Sequence, residues 1–273
     1  MADNTYGLIG YPITHTFSHQ YFGKFFKDEG LADSHQYLNF AIEDASEFSE
    51  IKKRYPNLRG CNVTIPHKVD IMPQLDAIDR VAKEIGAVNT IRIEKDGTAT
   101  GFNTDYVGFR LDLLEKMKAA DWTKKAFNVP YTLDNLQESL KKTNALVLGS
   151  GGASKAVVAA LRSFGIAPMV VSRTKGKADI AYSELLPEHI RTYELIINTT
   201  PLGMAPGIET FPPIPYEFIG PRHFVYDLVY NPAETMFMRK CLDQGAGAAN
   251  GMGMLEEQAR QSWRIWQREG EHV

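Results

Sequence analysis

A lysine and an aspartate follow predicted strands of this chain, and together they could transfer a proton at a carbonyl or an alcohol. Lys68 follows the strand predicted over 60–65, and Asp105 follows the one predicted over 98–102. Ligands of open α/β sheets bind at the carboxyl ends of strands, which is where this pair would meet a substrate. Simpler explanations stay open, because Lys68 could be a solvated lysine and Asp105 a helix N-cap.

Further polar side chains accompany this pair. Asn62 and Thr64 alternate on one face of the strand that precedes Lys68. Pro66 favours a helix start, which would place Lys68 in a first turn where the helix dipole disfavours its charged form. Thr16 and Ser18 offer two hydroxyls before a helical apolar stripe, and either hydroxyl could instead cap that helix.

A second group of residues suits the phosphates of a nucleotide. The short apolar run 145–148 predicts a buried strand, and an alanine- and valine-rich helix is predicted from Ser154 onward. The turn between them contains Gly149, Gly151, Gly152 and Ala153. A strand that turns on glycines into a helix presents backbone N–H groups and the positive end of the helix dipole to an anion. The spacing is GxGGA rather than GxGxxG, so a purely structural turn is the alternative.

The next predicted strand, 167–171, indicates which nucleotide would bind. It is followed by Ser172, Arg173, Thr174 and Lys177. An acidic residue about 20 positions after the glycines holds the ribose 2′-hydroxyl of NAD, whereas arginine accommodates the 2′-phosphate of NADP. Arg173 has no acid beside it, so NADP is the better interpretation, although a solvated basic loop would look the same.

Strands and helices alternate through most of the chain, which predicts an α/β protein with a mostly parallel sheet. Asp96-Gly97 is the strongest hairpin signal. The run 71–85 is predicted to be largely helical, with Gly86 as its C-cap. Residues 119–143 have a weak pattern and many lysines, which predicts a linker with one surface helix over 133–141.

Composition excludes several classes of protein. The 273 residues suffice for two domains, and 44% hydrophobic with 23% charged residues is typical of soluble globular proteins. A net charge of −3 argues against nucleic-acid binding. The first residues lack a signal-peptide pattern and no apolar run would span a bilayer, so no membrane association is expected. Cys61 and Cys241 lie far apart, which predicts reduced thiols in a cytoplasmic protein, and the histidines show no metal-ligand spacing.

With these residues in hand, the chain resembles the shikimate dehydrogenase family over nearly its whole length. The matching motifs are GYPITHTFSH at 10–19, GCNVTIPHK at 60–68, GAVNT at 86–90, GFNTD at 101–105, LVLGSGGASKA at 146–156, VSRT at 171–174, NTTPLGM at 198–204, YDLVYNP at 226–232 and GMGMLEEQA at 251–259. Several motifs in one order are far more specific than any single glycine turn.

The resemblance implies a reversible, NADPH-dependent reduction of 3-dehydroshikimate to shikimate, on the route to chorismate and the aromatic amino acids. It implies two domains. A mostly parallel α/β substrate domain would comprise 1–106 and 245–273, so that the C-terminal helix completes it. A Rossmann-type NADP domain would comprise 107–244. Both a monomer and a homodimer remain open.

The resemblance also assigns roles to residues. Lys68 would be the catalytic acid and base, with Asp105 orienting it and a substrate hydroxyl. Thr16, Ser18 and Tyr230 would bind the substrate carboxylate, while Asn62, Thr64, Asn89, Asp105 and Gln258 would hold the ring hydroxyls. Gly149, Gly151, Gly152 and Ala153 would meet the pyrophosphate, and Ser172, Arg173, Thr174 and Lys177 the 2′-phosphate and adenine. Met204, Leu228 and Gly251 would lie near the nicotinamide.

Two departures from the family pattern affect substrate and cofactor fit. Thr16 and His19 replace a serine and a proline, and Ser172 stands where asparagine is usual. The 119–143 segment also looks longer than the family's usual link. Two other functions stay open: a quinate/shikimate dehydrogenase that uses NAD, against which the basic stretch after Ser172 argues, and a non-catalytic sensor of NADP and a small acid.

Overall fold

The chain forms two compact units in the computed structural model, which describes residues 2–13, 16–174 and 176–268. The first unit is Met1–Thr104 with Ala259–Val273, and the second is Asp105–Gln258. The sequence placed 245–273 in the first domain, whereas the strand Gly247–Asn250 pairs within the sheet of the second unit. The helices Thr104–Ala119 and Met252–Trp266 each span a boundary between the units.

The first unit contains one mixed sheet of six strands in the order β2-β1-β3-β5-β6-β4. Strands β2, β1 and β3 are parallel to one another. Strand β5 runs antiparallel to β3, β6 runs antiparallel to β5, and β4 is parallel to β6. The elements are β1 (Asn4–Gly10), α1 (Phe17–Asp28), β2 (His35–Ala41), α2 (Phe48–Arg54), β3 (Leu58–Val63), β4 (Ala77–Ile78), α3 (Arg80–Ile85), β5 (Thr90–Ile93) and β6 (Ala99–Phe102).

Both faces of this sheet pack against a hydrophobic core, because the apolar side chains of β1 point alternately to one face and the other. Ile9 faces one core, which includes Phe48 of α2, and Tyr6 faces the other, which includes Phe22 of α1. Trp266, from the C-terminal helix, joins the second core, and its indole Nε1 donates to the carbonyl of Ile91 at 3.0 Å. The expectation that the C-terminal helix completes the first unit is therefore confirmed for the part of that helix after Gln258.

Two local predictions for the first unit had different outcomes. The Asp96-Gly97 hairpin is confirmed, with β5 and β6 antiparallel and Gly97 at φ +89°. The largely helical run over 71–85 is wrong, because a 3₁₀ turn at Met72–Gln74 and the strand β4 precede α3. Asp79 explains the late start, since its carboxylate accepts from the N–H of Val81 at 2.8 Å as an N-cap.

The second unit contains a fully parallel six-stranded sheet in the order β12-β11-β10-β7-β8-β9. The chain enters at β7 and adds β8 and β9 on one side, then returns to add β10, β11 and β12 on the other, so the order reverses between β7 and β10. Its elements are α4 (Thr104–Ala119), α5 (Trp122–Phe127), α6 (Leu133–Lys141), β7 (Ala145–Leu148), α7 (Gly152–Ser163), β8 (Met169–Ser172), β9 (Ile180–Ala181), α8 (Pro187–Thr192), β10 (Leu195–Asn198), β11 (Phe224–Asp227), α9 (Met236–Leu242), β12 (Gly247–Asn250) and α10 (Met252–Trp266).

The helix predicted over 133–141 is confirmed as α6, but the description of 119–143 as a linker is wrong, because this segment belongs to the core of the second unit. It forms both α5 and α6, and Trp122, Leu136 and Leu140 are buried against β7 and α7. Leu136 and Leu140 are four residues apart and so share one helix face. The lysines that suggested a linker lie on the solvent-facing side of these helices, whereas the opposite side is apolar and buried.

No helix among the described residues is both long and apolar enough to cross a bilayer. Within the same residues, no three histidine, cysteine or acidic side chains are grouped so that they could hold a metal ion. Cys61 and Cys241 are buried and form no disulfide, and burial raises the pKa of both thiols.

Two glycines of the first unit predict opposite effects of an added methyl group. At Gly60, a Cβ would collide with the Trp266 indole, so we expect Gly60→Ala to destabilise by about 1–3 kcal/mol through overpacking. At Gly23 of α1 no heavy atom lies within 4 Å of the Cβ position, so Gly23→Ala should stabilise by about 0.5–1 kcal/mol. Urea unfolding of both variants checks this, and equal effects would contradict the packing shown here.

Candidate functional site

The two asparagines predicted for the substrate lie side by side in the first unit. Asn62 is the penultimate residue of β3, and Asn89 immediately precedes β5. Because β5 runs antiparallel to β3, its start lies beside the end of β3, and the Val63 N–H donates to the Asn89 carbonyl at 2.8 Å. Both side chains are only 3% exposed. Strand direction therefore brings together residues that are 27 positions apart.

A buried hydrogen-bond network fixes the amide of Asn62. The Tyr37 hydroxyl donates to Asn62 Oδ1 at 2.8 Å, and Asn62 Nδ2 donates to Ser262 Oγ at 2.8 Å. Thr90 Oγ1 lies 3.3 Å from the same Nδ2 and 2.9 Å from Ser262 Oγ. Burial raises the pKa of Tyr37 well above its ordinary value, so this phenol remains a neutral donor. The orientation of the Asn62 amide is thus set by the protein.

The same network extends to Asn89 through Thr104. Asn89 Oδ1 accepts from the Thr104 N–H at 2.7 Å, and Asn89 Nδ2 donates to Thr104 Oγ1 at 3.0 Å. Thr104 is the first residue of α4 and immediately precedes Asp105. Thr90 and Thr104 belong to the motifs GAVNT and GFNTD, but the sequence predicted no role for either of them. Tyr37 and Ser262 were not predicted at all, because no local sequence pattern marks them. Asp105 is itself buried, at 6% exposure.

Lys68 lies in a turn rather than in the first turn of a helix. Residues 65–71 form a succession of turns after β3, so the predicted effect of a helix dipole on Lys68 does not apply. The Lys68 carbonyl accepts from the Val88 N–H at 2.7 Å, and the buried ring of His67 lies 2.7 Å from the Ile42 carbonyl through Nε2. These contacts anchor the backbone on both sides of a half-buried Lys68. Thr64, also half-buried, lies where β3 ends.

Thr16 and Ser18 occupy the start of α1. Thr16 is the N-cap, accepting from the His19 N–H at 3.3 Å, and its hydroxyl donates to Asn39 Oδ1 at 3.2 Å. The simpler explanation of this hydroxyl as a cap is therefore confirmed. Ser18 is buried and hydrogen-bonded to Tyr37, which links it to the Asn62 network. His15, from the same motif, lies outside the described residues.

In the second unit, the glycine turn joins β7 to α7 as the sequence predicted. Gly149 has φ +112°, and a Cβ there would lie 2.6 Å from Thr199 Oγ1, so glycine is required. Gly151 is the N-cap of α7 and has no heavy atom within 4 Å of its Cβ position, while Gly152 and Ala153 form the first turn. No side chain caps this turn. An anion could therefore reach the N–H groups at the start of the helix.

The basic residues predicted for the 2′-phosphate lie on the neighbouring strand end. The Gly149 N–H donates to the Val171 carbonyl at 2.8 Å, which places the ends of β7 and β8 together. Ser172 Oγ accepts from the Thr174 N–H at 3.1 Å and so stabilises the turn that carries Arg173. Arg173, Thr174 and Lys177 are exposed, and Lys175 lies outside the described residues.

Asp227 is a buried carboxylate at the end of β11, and sequence reasoning gave it no role. It is 0% exposed, accepts from Asn198 Nδ2 at 2.9 Å and the Val229 N–H at 3.0 Å, and receives the Thr235 hydroxyl at 2.6 Å. Burial raises its pKa from 3.8 to about 6 despite these three donors.

Two of the predicted site residues follow Asp227 closely in the chain. Leu228 was predicted near the nicotinamide and Tyr230 for the substrate carboxylate, and burial raises the pKa of Tyr230. Gly251 lies against the backbone of Leu228, where a Cβ would collide with the Leu228 carbonyl oxygen. Met204, on the loop after β10, is 47% exposed. These residues lie on loops that follow β10, β11 and β12.

Helices α4 and α10, which carry Asp105 and Gln258, approach closely within the second unit. A Cβ on Gly108 would lie 2.7 Å from the Met254 carbonyl oxygen and 3.2 Å from the Gln258 Cβ. Asp112, one turn further along α4, is buried beside Gly253 and accepts from the Tyr226 hydroxyl. Burial raises the pKa of Asp112. Gln258 Nε2 donates to the Leu255 carbonyl at 2.9 Å. The sequence gave no indication of the role of Asp112.

The fold and these residues define a class: a two-domain α/β dehydrogenase with a Rossmann-type nucleotide unit. Residues 8–91 match the family model described as the shikimate dehydrogenase substrate binding domain. The chain is 34% identical to the shikimate dehydrogenase (NADP(+)) of Methanococcus aeolicus, with 95% of this chain and 90% of the relative covered. The chain therefore belongs to the shikimate dehydrogenase family.

Solved structures agree with this assignment. Shikimate dehydrogenase 1 from Peptoclostridium difficile superposes with a TM-score of 0.77 at 35% identity, covering 97% of this chain and 92% of that one. Shikimate 5-dehydrogenase from Thermus thermophilus, solved with NADP(H) and shikimate, gives a TM-score of 0.77 at 30% identity over 97% and 94% of the two chains. The predicted family and the two-domain α/β fold class are confirmed.

The raised pKa of Asp227 predicts a pH-dependent stability. Its carboxyl ionises near 3.8 when unfolded and near 6 when folded, so its contribution to stability is full below pH 3.8 and is lost as pH rises to 6. The advantage in unfolding free energy of the parent over Asp227→Asn should therefore shrink by up to about 3 kcal/mol between pH 4 and pH 7. Urea titrations at both values measure it, and a constant difference would contradict the raised pKa.

Proposed function

We propose that this protein is a shikimate dehydrogenase, which reversibly reduces 3-dehydroshikimate to shikimate with NADPH on the route to chorismate and the aromatic amino acids. The observation that carries the proposal is the fixed amide pair of Asn62 and Asn89, within the segment matched by the family's substrate-binding model. The residue before Asn89, Val88, donates its N–H to the Lys68 carbonyl. Amides with set donors and acceptors suit a ligand with several hydroxyl groups. The first unit would thus bind the substrate and the second unit NADP.

Two sets of polar residues recognise different parts of the substrate. Asn62, Thr64, Asn89, Asp105 and Gln258 hold the ring hydroxyls, and Thr16, Ser18 and Tyr230 bind the carboxylate. The network through Tyr37 and Ser262 presets Asn62, so little side-chain freedom is lost on binding. Thr16 must release Asn39 to donate to a carboxylate.

The second unit fits NADP by its shape and its charge. The glycine turn leaves space at the start of α7, and the adjacent Arg173 and Lys177 supply positive charge for a 2′-phosphate. Gly149, Gly151, Gly152 and Ala153 meet the pyrophosphate, with Ser172 and Thr174 shaping the adenine end. Met204, Leu228 and Gly251 line the nicotinamide end. The two buried thiols suit a reducing compartment such as the cytoplasm.

NADPH, when bound, supplies the hydride that reduces the substrate carbonyl. The chain must then neutralise the negative charge that develops on that oxygen. Lys68 donates its Nζ proton to the oxygen in the direction of reduction and accepts a proton from the hydroxyl in the reverse direction. Asp105 orients the Lys68 ammonium group and the adjacent substrate hydroxyl. The contacts of Val88 with Lys68 and of Ile42 with His67 limit movement of the lysine backbone.

Removing the proposed acid and base should abolish turnover without abolishing binding. We expect Lys68→Ala to lower kcat for shikimate oxidation by NADP about 100- to 10,000-fold, and Asp105→Asn to lower it less, because general acid–base catalysis has that scale. Absorbance of the reduced nicotinamide measures the rate. Lys83→Ala, at an exposed lysine of α3, is the matched control. A parent that oxidises neither shikimate nor quinate with NADP or NAD would leave only the sensor function.

Arg173 should determine the preference for NADP. We expect Arg173→Ala to raise KM for NADP about 10- to 100-fold and to leave KM for NAD unchanged, because only NADP carries the 2′-phosphate that pairs with the guanidinium. Arg162→Ala, at an exposed arginine in the last turn of α7, is the control. Equal effects on both cofactors, or a parent that prefers NAD, would contradict the assignment of this loop to the 2′-phosphate.

A further inference from the structure

The Asp227 carboxylate contacts three segments at the carboxyl edge of the second sheet. Its Oδ1 accepts from Asn198 Nδ2 and the Val229 N–H, and its Oδ2 accepts from the Thr235 hydroxyl. Asn198 ends β10, Val229 lies in the loop after β11, and Thr235 is the N-cap of α9. One buried side chain therefore joins the loop after β10, the loop after β11 and the start of a helix.

Each of these contacts controls a loop beyond it. Asn198 Oδ1 accepts from the Thr200 N–H at 3.0 Å and from the Thr200 hydroxyl at 2.6 Å, which sets the start of the loop that ends at Met204. Thr235 also packs against this loop, with its Cβ 3.3 Å from the position of a Cβ on Gly203. The bond to Val229 sets the backbone between Leu228 and Tyr230.

Only a carboxylate suits this position. Three donors converge on Asp227, so an amide would direct its own N–H at a donor or leave the Thr235 hydroxyl without an acceptor. Burial of the charge is costly, as the raised pKa of about 6 records. An apolar side chain of similar volume would leave all three donors unpaired, so this carboxylate is the common acceptor that holds the three segments together.

We propose that Asp227 is a positioning residue for the cofactor: through Asn198, Val229 and Thr235 it holds the loops that carry Met204, Leu228 and Tyr230 in the arrangement that binds the nicotinamide end of NADPH. This inference rests on the proposed function. Asp227 itself is fully buried and acts only through these neighbours. Tyr226, Tyr216 and Cys241 also interact electrostatically with Asp227, and burial raises their pKa values further above neutral, so these groups stay uncharged between pH 5 and pH 8.

The test measures NADPH binding by the fluorescence of the reduced nicotinamide, without substrate, between pH 5 and pH 8. We expect Asp227→Asn to raise the Kd for NADPH about ten-fold at pH 8, the scale of a weakened hydrogen bond to a charged group. The parent Kd should rise more steeply than that of the variant as pH falls through about 6, the pKa of Asp227, because protonation of the NADPH 2′-phosphate weakens binding equally in both proteins.

The control is Glu194→Gln, at the residue immediately before β10 on the opposite edge of the same sheet. Glu194 is buried to a similar degree, at 8% exposure, and accepts from Arg222 at 3.1 Å. A purely structural role for Asp227 predicts that both variants lower the melting temperature and leave the Kd within about two-fold of the parent, which would overturn the proposal. The proposal predicts a changed Kd and a changed pH profile for Asp227→Asn alone.

A second pair of variants keeps the proposal testable if Asp227→Asn does not fold. Thr235→Ser retains the hydroxyl that donates to Asp227, and Thr235→Val removes it at nearly constant volume. We expect a raised Kd for NADPH only in Thr235→Val, and equal Kd values in the two would overturn the proposal. Turnover of shikimate is measured separately. An inactive parent whose NADPH affinity still depends on Asp227 would refute the proposed function and support the positioning role.

Discussion

An amide cannot be buried without partners for its oxygen and its nitrogen, and this constraint organises the polar edge of the first unit. Asn62 meets it with donors and acceptors from β2, β5 and the C-terminal helix, through Tyr37, Thr90 and Ser262. The network can form only when the mixed sheet is in register and the last helix is packed on it. Correct folding and the orientation of the Asn62 amide are therefore one event.

The second unit follows the same rule with a charged group. Asp227 receives three donors, as Asn62 is held by several, but the electrostatic cost differs: the amide is satisfied at little cost, whereas the buried carboxylate has a raised pKa. Both residues lie at carboxyl ends of strands, where side chains of successive elements converge. Parallel strands thus bring together groups that are distant in sequence, and burial then fixes their orientation.

The sequence predicted those parts of the molecule that depend on local patterns. The glycine turn, the Asp96-Gly97 hairpin and the residues at strand ends follow from spacing and turn chemistry, and the structure has them. The errors lie where distant packing decides. Residues 119–143 resembled a linker because their lysines face solvent, although Trp122 is in the core. Tyr37, Ser262 and Asp112 gave no signal, since their roles depend on partners 25 or more residues away.

The Thr16 hydroxyl shows why a matched motif does not by itself define affinity. A hydroxyl has one hydrogen, and here it is directed to Asn39 Oδ1 while the oxygen accepts from the His19 N–H. A bound carboxylate would have to take that hydrogen away from Asn39. Binding therefore exchanges one hydrogen bond for another rather than adding one, and the net gain comes from the charge of the carboxylate. The methyl group of threonine adds a further restriction, because it limits the rotamers through which the exchange can occur.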